Sequence, residues 1–254
     1  MLFLVGLGLS ENDIPVGALD ACKQCELYID RFTTLIPERT LNRIGEITGK
    51  QITELTRQDM EEDADKIVKR ALTRDIAILV GGDPLMATTH KLLFVEAAKH
   101  GVKTAVLHAN SIITTAIGES GLDFYRFGGA CTIPKWSAHY KPVSFYKKIE
   151  ANLTNNMHSM LLLDYDAKKM ETLGIPEAIE ILENADAQYK KGIITNMTKI
   201  IILHNMQLDG KKVITTTIED AKRIKENGVN IIILPAELTE IERETIEAMT
   251  GKRW

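Results

Sequence analysis

The fold is decided by the stretch Ala77-Ile-Leu-Val-Gly81-Gly82-Asp83-Pro84-Leu85-Met86-Ala87-Thr88-Thr89-His90. Its apolar start is typical of a buried strand, its two glycines permit a tight turn, and Asp83-Pro84 is typical of a helix start. The stretch therefore predicts a strand, a turn and a helix. Because ligands of open α/β sheets bind at the carboxyl ends of the strands, we interpret the turn as the floor of a binding site. An ordinary βα turn would use the same residue types.

The composition is that of a globular protein with a sizeable core. The 254 residues are 44% hydrophobic and 26% charged, with a formal net charge of -4, which allows one large domain or two ordinary ones. The basic excess of a nucleic-acid or membrane-surface binder is absent. Residues 1–9 carry no basic leader, and no apolar run reaches the roughly 18 residues that cross a bilayer. We therefore expect a cytoplasmic protein that contacts neither nucleic acid nor membrane.

Strand and helix patterns alternate through the first half of the chain, with short loops between them. Strands are predicted at residues 1–5, 26–29, 50–55, 77–80 and 102–107, and helices at 14–23, 57–72 and 86–100. This βαβα order predicts a mostly parallel sheet.

The pattern changes where glycines cluster, at Gly118, Gly121, Gly128 and Gly129. Beyond them, helices are predicted at residues 143–153, 176–189, 218–227 and 239–250, and strands at 157–163, 200–203, 211–216 and 229–234. The short connections there favour a mixed sheet. We therefore predict an α/β fold with two α/β domains, residues 1–116 and 117–254, and a ligand cleft between them.

Two short motifs suggest other chemistry. Gly6-Leu7-Gly8 follows a strand and precedes Asp30 by about twenty residues, as in dinucleotide-binding folds, but the third glycine of that fingerprint is missing. A nicotinamide-dependent oxidoreductase therefore stays an alternative. Cys22-Lys23-Gln24-Cys25 has the spacing of redox and zinc pairs, yet no second pair and no strand immediately before it accompany the motif. We predict that these two cysteines serve packing.

The sequence shows no standard catalytic or metal motif. Its six histidines include no pair at the i, i+4 spacing of a helical metal site, and we expect no metal. Neither a Gly-x-Ser-x-Gly elbow nor a Walker phosphate loop is present. His90, which is close to the proposed pocket, is interpreted first as a helix-packing residue. An apolar cleft with backbone contacts suits a donor that carries its own reactivity.

Three segments resemble a known family, the tetrapyrrole methylase superfamily of S-adenosylmethionine-dependent methyltransferases. They are Leu2-Phe-Leu-Val-Gly-Leu-Gly-Leu9-Ser10, the turn from Gly82 to His90, and His108-Ala-Asn-Ser111-Ile112. Within the superfamily, Ala87-Thr88-Thr89-His90 is similar to the diphthine synthase subfamily. The resemblance extends over nearly the whole chain and includes Leu161-Leu-Leu163-Asp164 and Ile231-Ile-Ile-Leu234-Pro235.

This resemblance implies a reaction and a partner. The enzyme would transfer methyl groups from S-adenosyl-L-methionine, leaving S-adenosyl-L-homocysteine, to the amino group of the modified histidine of translation elongation factor 2. The product would be diphthine, in diphthamide biosynthesis, and the enzyme would be a homodimer. Alternatives of the same fold are a methyltransferase for a tetrapyrrole or another small molecule, and a binding protein without catalysis.

The resemblance also implies the residues that bind the donor. They are Leu9, Asp83, Met86, Ser111, Ile112, Leu163, Met206 and Asn230. The family commonly has a small residue at the position of Met206 and a different polar residue at that of Asn230. No catalytic side chain and no metal ligand is implied.

Overall fold

The computed structural model describes residues 1–32, 35–166 and 171–254, except for the side chain of Glu61. The described chain divides into two compact units. Unit 1 is Met1–Ile113, and unit 2 comprises Thr114–Asp166 and residues 171–254. The predicted domain bounds, residues 1–116 and 117–254, stay a prediction.

Unit 1 is a parallel sheet with helices on both faces. Its elements are β1 (Leu2–Gly6), α1 (Val16–Gln24), β2 (Glu26–Asp30), α2 (Glu38–Thr48), β3 (Ile52–Leu55), α3 (Arg57–Glu61), α4 (Ala64–Arg70), β4 (Ile76–Val80), α5 (Lys91–Lys99) and β5 (Thr104–Leu107), with α6 (Ile112–Glu119) beginning at its end. The strand order is β3-β2-β4-β1-β5, and every pairing is parallel. The predicted mostly parallel sheet is confirmed.

The sequence of β4 explains why helices cover both faces of this sheet. All five residues of the strand are buried. Ile76, Ile78 and Val80 belong to the apolar cluster that includes residues of α4 and α5, whereas Ala77 and Leu79 belong to the cluster with α1 and α2. Successive side chains of a strand point to opposite faces of the sheet, so a strand that is apolar at every position must be buried on both faces, as parallel strands are.

The cysteine pair packs into this core. Cys22 and Cys25 are free thiols, 0% and 2% exposed, in the cluster below α1 and α2. Burial, and to a smaller extent the neighbouring Cys25, raises the pKa of Cys22 to about 12. Both thiols therefore stay protonated at neutral pH, which agrees with the predicted packing role.

Unit 2 contains a mixed sheet. Its elements after α6 are a 3-10 helix (Phe124–Arg126), β6 (Cys131–Ile133), α7 (Phe145–Thr154), β7 (Ser159–Leu163), β8 (Tyr165–Asp166), β9 (Glu171–Thr172), α8 (Ile175–Tyr189), β10 (Lys199–His204), β11 (Lys212–Thr217), α9 (Ile218–Ala221), β12 (Asn230–Leu234) and α10 (Glu240–Thr250). The order is β11-β10-β12-β7-β6, with only the β6 and β7 pair parallel, and β8 and β9 form a separate two-stranded ladder. The predicted α/β fold with a mixed second sheet is confirmed.

Several predicted helices have different bounds in the structure. The helix predicted from Met86 begins at Lys91, because the Asp83 side chain accepts a hydrogen bond from Leu85 N and Ala87 adopts a left-handed φ of 54°. The single helix predicted at residues 57–72 is split at Asp63 into α3 and α4. The helix predicted at residues 218–227 ends at Ala221, and α2 was not predicted.

No helix in the described parts of the chain has the length and apolar character that crossing a membrane requires.

Candidate functional site

Two glycine turns meet at the carboxyl edge of the unit 1 sheet. The first follows β1 and the second follows β4, and these strands are neighbours in parallel register. Gly8 N donates to Gly82 O at 3.3 Å, and Gly82 N donates to Gly8 O at 2.8 Å. Gly8 and Gly82 have φ values of 70° and 72°, where a side chain would strain the backbone. The two turns are therefore locked together by their own backbones.

Gly6 is the point at which three loops converge. A Cβ atom placed on it would lie 2.8 Å from Ala109 Cβ, 2.8 Å from Gly82 O and 2.9 Å from Pro84 Cδ. Only a hydrogen atom fits there, since real Cβ contacts do not come within 3.0 Å. The loops after β1, β4 and β5 thus depend on a glycine at the end of β1 for their close approach.

Asp83 ties the central turn to the loop after β5. Its side chain is 8% exposed. One oxygen, Oδ2, contacts His108 Nδ1 at 2.7 Å and accepts from Ala109 N at 3.3 Å, while Oδ1 accepts from Leu85 N at 2.9 Å. The carboxylate therefore fixes the shape of both loops, and its negative charge remains at the carboxyl edge of the sheet.

The other predicted site residues of unit 1 flank this junction. Leu9 N donates to Asp13 Oδ2 at 3.0 Å, and Leu9 Cδ2 lies 3.8 Å from the place of a Cβ on Gly82. Met86 is 45% exposed. Ser111 is 4% exposed and accepts from Ile113 N at 3.1 Å, immediately before Ile112 begins α6. The structure thus brings the segments that contain Leu9, Asp83 and Ser111 together.

Asp30 and His90 form a buried pair at the same edge of the sheet. Their side chains are 0% and 1% exposed, and His90 Nε2 lies 2.8 Å from Asp30 Oδ2. In dinucleotide-binding folds the corresponding acid must be accessible, because it binds the ribose hydroxyl. The buried position of Asp30 removes the support that this residue gave to the oxidoreductase alternative. The histidine does more than pack a helix, since it also contacts the hydroxyl of Thr88.

The three predicted site residues of unit 2 share one edge of its sheet. Leu163 is the last residue of β7, Met206 follows the end of β10, and Asn230 is the first residue of β12. Because β12 runs antiparallel to both β7 and β10, its start lies beside their ends. Topology therefore places residues distant in sequence at one sheet edge.

Asn230 is held by a polar network at this edge. Its Oδ1 lies 2.9 Å from His204 Nδ1, and its Nδ2 donates to Gly228 O at 3.1 Å. Met206 is buried at 3% exposure, between Asn205 and Gln207, which both have positive φ values. The backbone around Met206 is therefore unusual for residues other than glycine.

The sequence did not reveal the roles of Gly6 and His108. Only their positions in the sequence could have indicated these roles. Gly6 ends β1 and His108 directly follows β5, and both strands lead to the carboxyl edge of the sheet. Their contacts depend on which strands are neighbours, and that order is a property of the folded sheet. Within the part of the chain that the structure describes, no three His, Cys, Asp or Glu side chains cluster as metal ligands.

Comparison with known proteins agrees with this geometry. The family model for tetrapyrrole (corrin/porphyrin) methylases matches residues 1–222. The diphthine synthase of Methanothermobacter thermautotrophicus is 34% identical over 99% of this chain and 96% of its own length. That of Methanocaldococcus jannaschii is 32% identical, over 97% of this chain and 98% of its own.

Solved structures give the same result. A crystal structure of a diphthine synthase has a TM-score of 0.86 and 30% identity, covering 98% of this chain and 96% of that one. A conserved hypothetical protein of Aeropyrum pernix K1 has a TM-score of 0.91 and 29% identity, covering all of this chain and 90% of that one.

The fold and the family model define the class of protein as an S-adenosylmethionine-dependent methyltransferase. The chain belongs to the tetrapyrrole methylase family, in its diphthine synthase group. The predicted methyl-transfer activity, the predicted donor and the predicted place in diphthamide biosynthesis are thereby confirmed.

The residues at the carboxyl edge of unit 1 suit this donor. S-adenosylmethionine combines an apolar adenine face, hydrogen-bonding groups and a positive sulfonium. The junction offers the apolar side chains of Leu9 and Met86, backbone groups at glycine turns, and the carboxylate of Asp83. Such a mixture of apolar walls and a few fixed polar groups is typical of small-molecule sites.

Proposed function

We propose that this chain transfers methyl groups to the amino group of the modified histidine of translation elongation factor 2, forming diphthine. The support is the similarity to diphthine synthases over nearly the whole chain. The observation that supports donor binding is the convergence of three loops on Gly6, which would hold these loops in a fixed shape around a donor. The choice of elongation factor 2 as the protein substrate rests on the name of these relatives, diphthine synthase.

The donor would bind in unit 1 through Leu9, Asp83, Met86, Ser111 and Ile112. When bound, S-adenosylmethionine supplies a methyl group already activated by its sulfonium. Leu9 and Met86 would contact the apolar parts, while the Ser111 and Ile112 segment would offer polar groups at the start of α6. Asp83 would act by holding the two loops in shape and by its favourable charge beside a cationic donor.

In unit 2 we propose Leu163, Met206 and Asn230 as further donor contacts. Their shared sheet edge supports this, because one ligand could reach all three from there. Asn230 would act chiefly through its backbone, since its side chain already binds His204 and Gly228.

We propose in addition that the enzyme is a homodimer in the cytoplasm. The dimer is supported by the family resemblance, and the location by the partner, since elongation factor 2 works in translation. The mass of the particle in solution, measured by light scattering, tests the dimer.

Methyl transfer can be tested directly with isotopically labelled S-adenosylmethionine. The purified chain would be incubated with elongation factor 2 that carries the histidine precursor. Label should appear on the factor, and mass spectrometry should place it on the modified histidine. A factor with that histidine replaced is the matched control.

Label on both factors, or on neither, would contradict the proposed substrate. Transfer to a tetrapyrrole in place of the factor would favour the small-molecule alternative of the same fold.

A further inference from the structure

A series of three polar side chains, two of them buried, lies beside the proposed donor turn. It consists of Asp30 at the end of β2, His90 before α5, and Thr88 in the turn between β4 and α5. Asp30 pairs in register with Val80, the last residue of β4. The carboxylate is therefore at the same sheet edge as the turn that begins with Gly81.

The hydrogen-bond partners determine which nitrogen of His90 carries the proton. Asp30 Oδ2, as a carboxylate oxygen, can only accept, so Nε2 of His90 donates across the 2.8 Å contact. Nδ1 is then the acceptor in a neutral imidazole, and the Thr88 hydroxyl donates to it. The three groups are thus aligned in one direction, with the imidazole ready to accept a proton from the hydroxyl.

Thr88 retains capacity for one more partner. A hydroxyl has one proton and two lone pairs. The proton goes to His90 Nδ1, and one lone pair accepts from His90 N at 3.3 Å. Thr88 is only half-buried, while His90 is 2% exposed. Thr88 is thus partly open to solvent, while the imidazole behind it is shielded from water.

Thr88 is the member of this series that lies nearest in sequence to the proposed donor contacts. It follows Met86, one of the proposed donor contacts, by two residues, and Ala87 between them has a left-handed φ of 54°. That conformation is uncommon for a residue with a side chain and must be held by its surroundings.

Methylation of an amine requires a proton acceptor. An aliphatic amine is largely protonated near neutral pH, and an ammonium has no lone pair with which to attack. Each transferred methyl group also leaves a protonated amine. A positioned side chain accepts such a proton more effectively than bulk water, typically by roughly 10²- to 10⁴-fold.

We propose that Thr88 accepts the proton of the substrate amine and passes its own proton to His90, whose imidazolium is stabilised by Asp30. This inference rests on the proposed function. The ammonium N–H bond breaks as a bond forms to Thr88 Oγ1, and the original hydroxyl proton moves to His90 Nδ1. The freed lone pair takes the methyl group, and the electron pair of the broken C–S bond stays on the donor sulfur. The proton returns to water by the reverse path after product release.

In this assignment Thr88 is the catalytic residue, while His90 and Asp30 are positioning residues that act through it. Among the described residues, Asp30 on β2 is the charged group within hydrogen-bonding distance of the imidazole, and Thr88 is its polar partner from the turn.

The test compares Thr88→Val with the wild-type chain, both as full-length protein with elongation factor 2 as substrate. Valine keeps the shape and removes the hydroxyl. We expect the donor Kd to stay within about threefold and kcat at pH 7 to fall on the order of 100-fold, as for loss of a general base. The deficit should shrink toward alkaline pH, where the amine loses its proton in solution.

Two further variants complete the comparison. Thr88→Ser, which keeps the hydroxyl, should restore the rate. Thr53→Val on β3, where the side chain is exposed, is the matched control and should leave the rate unchanged.

Equal kcat and equal pH profiles for the wild type and Thr88→Val would overturn the relay. A loss of donor affinity as large as the loss of rate would also overturn it, because the hydroxyl would then serve only the shape of the turn. If the wild type itself fails to label elongation factor 2, the proposed substrate fails and the relay with it. His90→Gln is a second variant, whose rate should fall with the same alkaline recovery.

Discussion

At the scale of single residues, Asp83 makes more hydrogen bonds between the loops of the site than any other polar side chain predicted from the sequence. It bonds to His108 and to the backbone of Leu85 and Ala109. Its neighbours belong to two different loops, so its loss should change the shape of the turn before it affects the chemistry.

Asp83→Ala should therefore weaken donor binding more than it slows methyl transfer at saturating donor. Losing a buried charged hydrogen-bonding group costs roughly 1.5–3 kcal/mol of stability, and because both loops lose their shape we expect the donor Kd to rise on the order of 10-fold. Calorimetry with S-adenosylhomocysteine measures this, and Asp20→Ala, at an exposed residue of α1, is the control. Unchanged affinity in the Asp83 variant would contradict the role given to it.

Gly6 gives a second prediction at this scale. A methyl group there would overlap Gly82 O, Ala109 and Pro84, so Gly6→Ala should destabilise the protein by about 1–3 kcal/mol and weaken donor binding. Gly45→Ala in α2 has no atom within 4 Å of the added Cβ and should be neutral or stabilising by roughly 0.5–1 kcal/mol. Thermal unfolding of both variants checks the contrast, and similar midpoints would refute the convergence argument.

At the scale of elements, continuous apolar strands were readable from the sequence. Strand β4 was predicted from its continuous apolar run, and the structure shows it buried on both faces. Helix α2 was missed because only Thr40 and Ile44 of its eleven residues are buried and no side chain caps its start. The start of α5 was misplaced because the Asp83 side chain and the left-handed Ala87 delay the helix.

Only part of the candidate site could be predicted from the sequence, because some of its contacts join residues that are far apart along the chain. Turn segments identify themselves by glycine and by motif, whereas the pair of Asp30 and His90 joins residues 60 positions apart. That contact depends on β2 lying beside β4, and no local pattern encodes the order of strands in a sheet.

The three cysteines, at the end of α1 and in β6, allow a prediction about thiol reactivity. Cys22 and Cys25 are buried and burial raises the pKa of both, while the half-buried Cys131 has its pKa raised by burial to about 11. The thiolate is the reactive form. We therefore expect iodoacetamide at pH 8 to label none of the three in the folded protein during a time that labels all three in urea. Rapid labelling of the pair without denaturant would argue for a redox role.

Helix α10 anchors unit 2 through Glu242. This side chain completes the capping box with Thr239, accepts from Asp123 N at 3.1 Å and His158 Nε2 at 2.8 Å, and pairs with Arg126. Burial raises the pKa of Glu242, but hydrogen bonds from the backbone of Thr239 and Asp123 and from His158 outweigh it and lower the pKa to about 2. The folded state therefore favours the carboxylate.

The expected pH dependence follows from that direction. Between pH 4.5 and about 2 the unfolded chain binds a proton at Glu242 that the folded chain does not, so the stabilisation is complete above this window and lost as pH falls through it. Glu242→Gln should lower stability at pH 7 by about 3 kcal/mol, because it leaves the Arg126 charge unpaired. The difference from wild type should shrink near pH 2. Thermal unfolding across pH measures it, with Glu240→Gln as the control, and a difference independent of pH would contradict the assignment.

The adjacent His158 changes stability in the same direction. Burial lowers its pKa against the opposing effect of Glu242, and its Nδ1 accepts from Ala236 N at 3.0 Å, so the folded state holds it neutral. The unfolded chain binds this proton below about pH 6.5. Unit 2 should therefore begin to lose stability as the pH falls below that value, before Glu242 titrates.

At the scale of the whole molecule, both units present their predicted site residues at one edge of a sheet. In unit 1 this edge is where parallel strands end, and in unit 2 it is where two strands end and their antiparallel neighbour begins. Loops at a strand edge can vary without disturbing the core, since the apolar clusters lie between sheet and helices.

Hydrogen–deuterium exchange with and without S-adenosylhomocysteine tests most directly whether the loops that converge on Gly6 hold the donor. We predict slower exchange in residues 6–13, 81–90 and 108–113, with no change at the opposite edge of the unit 1 sheet, around Glu26 and Asp75, and no effect of NADH. Unchanged exchange in those three segments at a saturating concentration of S-adenosylhomocysteine would contradict the account.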